Sequence, residues 1–296
     1  MNITRIGYPR SPQDADFWVF EFDAKLWSGV VRGLFGNDDL SRSALARWAE
    51  GTRPEYGLHV PFVAHDAGTP AGVAVMELPQ RDNRHLAFVS IAVAETHRRR
   101  GVGTALLERV LGEARADGRT TVQAWTYEPA VPTGTRTLSA AEGDGAIDPD
   151  SPAASFLLGR GFRLVQVETI SGLTLPDQRR LEADAAEARS ATPAEYDLVQ
   201  WLGSTPSAWL ADMADLMVTM STDVPIGDAS LEAEVVDADR VASADEALIR
   251  GGCESLYTAV RHLPSGRLVG FTRLVHEAGR PVVDQWDTLV IGAHRG

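Results

Sequence analysis

The sequence predicts an α/β fold with mixed sheets, arranged as two tandem domains of which the second is incomplete. Helix-like and strand-like patterns alternate along the chain, and one ordered set of them occurs twice. The length of 296 residues is enough for two ordinary domains. We expect one domain at 1–175 and a second at 201–296, joined by a charged, alanine-rich linker helix at 176–200.

The first half contains, in order, helices, a hairpin, a buried strand and further helical and strand segments. Apolar residues recur at helical spacing from Asp14 to about Glu50. Two apolar runs then flank the turn-rich "DAGTPAG", which predicts a hairpin. A buried strand in "HLAFVSIAVAE", a helix at 103–116 and a strand in "TTVQAWTY" come next. They are followed by a polar lid or substrate loop at 128–150, a short helix ending at Gly161 and a last strand at 162–175.

The second half repeats this order. Helical patterns at 206–220 and 242–250 precede a second hairpin, and "WDTLVIGAHRG" parallels "VSIAVAETHRR", with His294 and Arg295 in the places of His97 and Arg98. The copy stops at that turn, which would leave the strand at 285–291 with an open edge and an exposed leucine, valine and isoleucine. We therefore expect the protein to continue past the last residue, or another chain to cover the gap.

Composition excludes several classes of protein. The net charge of −13 disfavours a nucleic-acid binder. Cys253 is the only cysteine, so neither a disulfide framework nor a cysteine-based zinc site is expected, and we expect no metal. The N-terminal stretch has no apolar core of signal-peptide length and no stretch approaches about 18 apolar residues, so we expect a cytoplasmic protein without a membrane partner.

One motif indicates an anion site. "HRRRGVG" lies between the predicted buried strand and the helix at 103–116. A helix that begins at such a turn presents free backbone N–H groups and a partial positive charge, and the arginines add charged contacts. An exposed basic turn before an ordinary helix is the alternative.

These residues resemble the acyl-CoA motif of the GNAT N-acyltransferase superfamily, [QR]-x-x-G-x-[GA], through Arg98, Gly101 and Gly103. "SPAASFLLGRGF" resembles a later motif of the same superfamily, with its alanine, phenylalanine and Gly-Phe pair in place. The order of elements is also similar, and the layout resembles actinobacterial tandem-GNAT proteins.

The resemblance implies acetyl-CoA, or another acyl-CoA, as cosubstrate. Backbone groups of Ile91 and Val93 would pair with the pantetheine where their strand separates from the one at 120–127, and the Ile91 N–H would polarise the thioester carbonyl. The residues that would cradle the pyrophosphate are Arg98, Arg99, Arg100, Gly101, Val102, Gly103 and Thr104.

The chain departs from the family pattern where protons are transferred. Ala87 takes the position of the general-base glutamate, and Leu157 that of the tyrosine that protonates the leaving thiolate. The remaining ionisable candidates are Glu77, His85, Tyr127 and Glu128, each of which has an alternative role as a solvated or packing residue. For Trp125, a place in the core is favoured over a place in the substrate cleft.

The function expected from the resemblance is an acetyl-CoA-dependent N-acetyltransferase for a small-molecule amine. The alternative is a catalytically silent acyl-CoA-binding module. Acidic residues in the 128–150 loop, Glu142, Asp144, Asp148 and Asp150, mildly favour a cationic amine. The expected assembly is a pseudo-dimeric monomer or a homodimer.

Overall fold

The computed structural model describes residues 1–140, 145–223 and 230–295. Its first half is built on a five-stranded sheet whose strands lie side by side in chain order. The first four pair antiparallel and the fifth pairs parallel to the fourth, which confirms a mixed sheet. These strands are β1 (Asn2–Arg5), β2 (Gly57–Asp66), β3 (Thr69–Pro79), β4 (Leu86–Val93) and β5 (Thr121–Ala124).

Helices cover both faces of this sheet. On one face lie α1 (Trp18–Phe35) and α2 (Ala44–Glu50), and on the other lies α3 (Val102–Ala116). α1 ends at Gly36, whose φ of 73° suits a residue without Cβ. α2 begins after Ser43, whose hydroxyl caps its first turn. Each face is closed by its own cluster of buried apolar side chains.

A two-residue turn joins β2 to β3. Ala67 and Gly68 both have positive φ, 47° and 84°, as a type I′ turn requires. The pairing shifts by one residue at a bulge next to Ala64, and the shifted register sets His59 opposite Glu77. This register decides which side chains of the hairpin share a face with α1 and α2.

The stretch after β5 differs in part from the prediction. The loop contains two short strands, β6 (Leu138–Ser139) and β7 (Ala146–Ile147), and α4 (Pro152–Leu158) follows with a left-handed Gly161. The prediction of a strand at 162–175 is wrong, because this described stretch does not pair with any sheet. The apolar side chains at its end remain largely in solvent: Ile170 is 62%, Leu173 82% and Leu175 69% exposed.

An exposed helix connects the halves. α5 (Gln178–Ala191) has no buried residue and begins with a cap from Asp177. The next strand, β8 (Tyr196–Leu202), begins inside the segment 176–200 that was expected to be linker. The connecting helix is therefore shorter than expected, since the last residues of that segment pair with the second sheet.

The second half repeats the architecture of the first. Its antiparallel sheet has the order β11-β10-β9-β8, with β9 (Cys253–His262), β10 (Arg267–Glu277) and β11 (Val283–Val290). Two helices, α6 (Leu210–Asp223) and α7 (Ala238–Arg250), come between β8 and β9, as α1 and α2 come between β1 and β2. The order of helices, hairpin and third strand predicted from the repeat is present in both halves.

The repeated turns also agree in detail. The Arg98 Nε donates to the carbonyl of Val93 over 3.3 Å, and the Arg295 Nε donates to that of Val290 over 2.6 Å. The prediction that the leucine of the last strand is exposed is wrong, because Leu289 is buried and packs beneath α6 and α7.

The halves touch through helices and loops. α2 packs against α7, and the Glu277 carboxylate of the second half accepts the backbone N–H of Ser43 at the start of α2 over 2.9 Å. Among the described residues no helix is long and apolar enough to cross a membrane. The same described ranges hold no cluster of side chains arranged for a metal ion.

Candidate functional site

The turn between β4 and α3 has the geometry of an anion cradle. Arg99 and Gly101 have positive φ, 62° and 83°, and α3 begins directly afterwards at Val102. No side chain caps the start of α3, so the N–H groups of its first turn are available to a ligand. A Cβ at Gly101 would meet no heavy atom within 4 Å, which leaves the approach to this backbone open.

Cations surround this turn. Arg98, Arg99 and Arg100 are exposed on it. A fourth arginine was not predicted: Arg160, after α4, stacks on Phe156 with its guanidinium carbon 3.9 Å from the ring centroid. Arg160 also donates to the Thr104 hydroxyl. Sequence reasoning missed it because only the packing of α4 against α3 brings it to the turn.

The strands part beside the turn. β4 and β5 pair from Leu86 only as far as Val89, opposite Ala124, so within the described ranges the following residues of β4 have no strand beside them on that side. The Ala94 N–H donates to β3 over 2.9 Å. Because backbone groups alternate in direction along a strand, those of Ile91 and Val93 face the gap toward β5. This is the separation that the resemblance implied.

A cleft of about 220 Å³ opens at the same point, on the face covered by α1 and α2. Its floor is the sheet and its wall is formed by the two helices. The lining residues are Phe20, Asp23, Arg47, Glu50, His59, Val75, Glu77, Phe88, Val89, Ser90 and Trp125.

A buried ion pair lies in the wall of the cleft. Asp23, only 3% exposed, accepts from the Arg47 Nη1 over 3.0 Å. Burial raises the pKa of the Asp23 carboxyl, Arg47 opposes that shift, and the Glu50 charge adds to it. The Trp27 indole, one turn along α1, also favours the carboxylate, although its Nε1 does not reach hydrogen-bond geometry.

Two further carboxylates face the cleft. Glu77 Oε2 lies 3.8 Å from His59 Nε2 across the hairpin. Glu50 is paired with Arg42, which lies outside the lining. Of this group only Glu77 was predicted. His59 could not be assigned, because a hairpin without the bulge would set it opposite Met76 instead.

Ala87, the position that the resemblance assigns to a general base, is turned away from the cleft. Ala87 is fully buried in the core between the sheet and α3. A longer side chain there would enter that core. Among neighbouring residues of β4, Phe88 and Ser90 line the cleft.

The predicted proton-transfer candidates lie in different surroundings in the structure. Glu77 lines the cleft. His85 does not: its Nε2 is 2.9 Å from the carbonyl of Ser230 in the second half, so a role in proton transfer is not supported. Tyr127 packs edge-on against Trp27 and Phe35 on α1, which is its alternative role as a packing residue.

Two other expectations also change. Trp125 was expected in the core, but it is 58% exposed and lines the cleft, because β5 ends one residue before it. In the acidic loop, Glu142 and Asp144 lie outside the described residues. Asp150 is paired with Arg136 over 3.2 Å, so its charge is countered within the loop. Glu128 accepts from the Thr126 hydroxyl over 3.3 Å.

Comparison with known proteins agrees with this geometry. Residues 29–133 match the model of the acetyltransferase (GNAT) family. A solved tandem GNAT protein from the clavulanic acid biosynthesis pathway is similar over 100% of this chain and 81% of its own, with 21% identity and a TM-score of 0.64. That likeness shows the fold of the whole chain. A comparison with curated proteins gave no match.

Two other solved structures match part of the chain. A ribosomal-protein-alanine N-acetyltransferase from Brucella melitensis has 19% identity over 42% of this chain and 73% of its own, with a TM-score of 0.33. An aminoglycoside N-acetyltransferase in complex with CoA has 15% identity over 59% of this chain and 100% of its own, also with a TM-score of 0.33.

Proposed function

We propose that this chain is an acetyl-CoA-dependent N-acetyltransferase that acts on a small-molecule amine, because residues 29–133 match the GNAT family model and the chain has the fold of a solved tandem GNAT protein. One observation carries the proposal. Three features follow one another in space. The anion cradle lies at the start of α3 around Gly103, the gap between β4 and β5 lies beside Val93, and the cleft begins at Ser90.

The residues present fit the cosubstrate. A Cβ at Gly103 would lie 3.4 Å from the Phe156 ring and 3.6 Å from Val93, so glycine keeps the groove between them open. The pyrophosphate would be held by backbone N–H groups and arginines of residues 98–104. Acetyl-CoA supplies the acetyl group as a thioester.

The chain's own groups would then serve acyl transfer. The Ile91 N–H, which faces the gap where the β4–β5 pairing has ended, would donate to the thioester carbonyl oxygen and stabilise the charge that develops there. Glu77, supported by His59, would take the proton of the attacking amine. Aromatic side chains at the cleft would limit access of water.

A CoA-release assay with a panel of amines tests the function. We expect turnover with at least one amine, and we expect Glu77→Gln to lower kcat by about 10²–10⁴-fold, the usual contribution of a general base. The variant should bind acetyl-CoA as the wild type does, since Glu77 lies in the cleft and not at the cradle.

The alternative is a catalytically silent acyl-CoA binder. It is favoured by the absence of an ionisable group at Ala87 and Leu157, where relatives place their base and acid. Stabilisation by acetyl-CoA without turnover of any amine in the panel would support it.

We also propose two domains in a cytoplasmic protein that is a pseudo-dimeric monomer or a homodimer. The first is 1–175, and the second begins with β8 at 196 rather than at 201, because β8 pairs with β9. Light scattering in solution separates the two assemblies.

A further inference from the structure

One wall of the cleft is supported by the second half. Within the described residues the cleft is lined by the first half, and α2 contributes Arg47 and Glu50 to that lining. α2 has only seven residues, and a helix shorter than about 12 residues is marginal in water unless tertiary contacts stabilise it. The position of this wall therefore depends on what α2 packs against.

The start of α2 is held by a buried carboxylate of β10. Glu277 is 4% exposed, and its Oε1 accepts the backbone N–H of Ser43 over 2.9 Å. The Ser43 hydroxyl in turn accepts the N–H of Ala46 over 3.1 Å. Since Ser43 caps the helix, the charge-assisted bond to Glu277 fixes the point at which α2 begins.

The turn after α7 lies directly against the side of α2. A Cβ at Gly251 would come within 3.1 Å of the Ala49 Cβ and 3.2 Å of the Ala46 Cα, so the lack of a side chain permits this close approach. Ala46 also packs in one cluster with the buried Cys253 and Val275. The second half therefore contacts α2 along its length as well as at its start.

A side chain of β11 acts on the cleft through one intermediate arginine. The Arg42 guanidinium pairs with the Glu50 carboxylate, and its carbon lies 5.3 Å from the centroid of the Trp286 ring. A guanidinium over an aromatic ring at this distance is attracted to the ring. Trp286 therefore restricts where Arg42 lies, and Arg42 restricts where the Glu50 carboxylate lies.

From these contacts we infer that Glu277 and Trp286 of the second half are positioning residues for the acceptor amine in the cleft of the first half. Glu277 fixes the start of α2, and Trp286 fixes Glu50 through Arg42. This inference rests on the proposed function. Removal of either side chain should affect binding of the amine but not binding of acetyl-CoA, because the anion cradle is built from residues 98–104.

Steady-state kinetics separates the two substrates. Glu277→Ala and Trp286→Leu should each raise KM for the amine about tenfold or more, while kcat and KM for acetyl-CoA stay within about twofold. The reason is that the wall is displaced, whereas Glu77 and the cradle keep their places. Glu254→Ala, which removes an exposed carboxylate from the neighbouring strand β9, is the matched control and should change neither KM. An equal rise in both KM values would overturn the inference.

Conservative variants distinguish positioning from a general loss of packing. Glu277→Gln keeps an oxygen that accepts the Ser43 N–H, and Trp286→Phe keeps a ring beside Arg42. Each should restore KM for the amine to within about threefold of the wild-type value. A conservative variant as impaired as Glu277→Ala or Trp286→Leu would contradict the assigned contact.

Amide hydrogen exchange observes α2 itself and needs no turnover. In Glu277→Ala and Trp286→Leu the amides of residues 44–50 should exchange about tenfold faster than in the wild type, and those of α3 should not change. Faster exchange of equal size in α2 and α3 would indicate general destabilisation and refute the inference. Faster exchange in α2 with an unaltered KM for the amine would also refute it.

The two proposals fail separately. Selective loosening of α2 in a protein that acetylates no amine would refute the proposed function and leave the second half as the support of the cleft wall. Turnover with a wild-type KM for the amine in both Glu277→Ala and Trp286→Leu would support the acetyltransferase and refute the inference.

Discussion

Replacing Gly103 with glutamate should abolish binding of acetyl-CoA without unfolding the protein. Gly103 is the second residue of α3, at the edge of the groove formed with Val93 and Phe156. A Cβ there makes only ordinary contacts, at 3.4–3.6 Å. A carboxylate in the first turn of a helix is favourable by about 0.3–1 kcal/mol, so the free variant should melt at or slightly above the wild-type temperature.

The loss of binding can be estimated. A carboxylate about 4 Å from a phosphate charge costs about 1 kcal/mol in water and about 4 kcal/mol at an effective dielectric constant of 20. These energies correspond to a weakening between about fivefold and about a thousandfold, before steric exclusion from the groove is counted. Ligand at 100 times its Kd stabilises a protein by about 2.7 kcal/mol. For a chain of this size that is a rise in Tm of about 5–10 °C.

The assay is thermal unfolding with and without acetyl-CoA. We expect the wild type to show the full rise. Gly103→Glu would keep about two thirds of it at the fivefold limit and almost none at the thousandfold limit, toward which steric exclusion shifts the outcome. The matched control is Gly112→Glu, the same substitution on the exposed face of the same helix, which should keep the full rise. A Gly103→Glu protein that retained the wild-type rise would show that the cofactor is held elsewhere.

Three further changes test the packing. Tyr257→Phe should lower the free energy of unfolding by about 1–3 kcal/mol, because its hydroxyl donates to the buried Asp245 over 2.6 Å; denaturant titration measures this. Arg119→Met should cost about 2–4 kcal/mol by the same measurement, since the Arg119 Nη1 donates to three backbone carbonyls at the ends of β3 and β4. Burial opposes ionisation of Asp82, but the Val235 amide and a guanidinium of the second half hold its pKa below 3.8. Its stabilising contribution is therefore present above pH 3.8 and is lost as the pH falls through the lower folded pKa, so Asp82→Asn should flatten the decline in stability as the pH is lowered below about 5.

The sequence by itself determined the order of elements and the anion turn. The helical periodicity, the two hairpins and the repeat are local or pairwise patterns, and they appear in the structure, although the helical pattern at 14–50 is divided into α1 and α2 and neither β1 nor β8 was predicted. The turn at Arg98 to Gly103 could be read because its chemistry is carried by consecutive residues: glycines that permit the backbone geometry, and a helix that begins beside them.

The position and lining of the cleft were decided only by the tertiary structure. Asp23, Glu50 and Glu77 come from two helices and a strand, and no spacing in the sequence relates them. His59 reaches Glu77 because a single bulge shifts the hairpin by one residue, and a one-residue shift moves a side chain to the other face of the sheet. Trp125 lies outside the core because β5 ends before it. His85 lies outside the cleft because its ring contacts a backbone carbonyl of the second half. These outcomes depend on contacts between segments that are distant in the sequence. The periodicity of a single segment carries no information about such contacts.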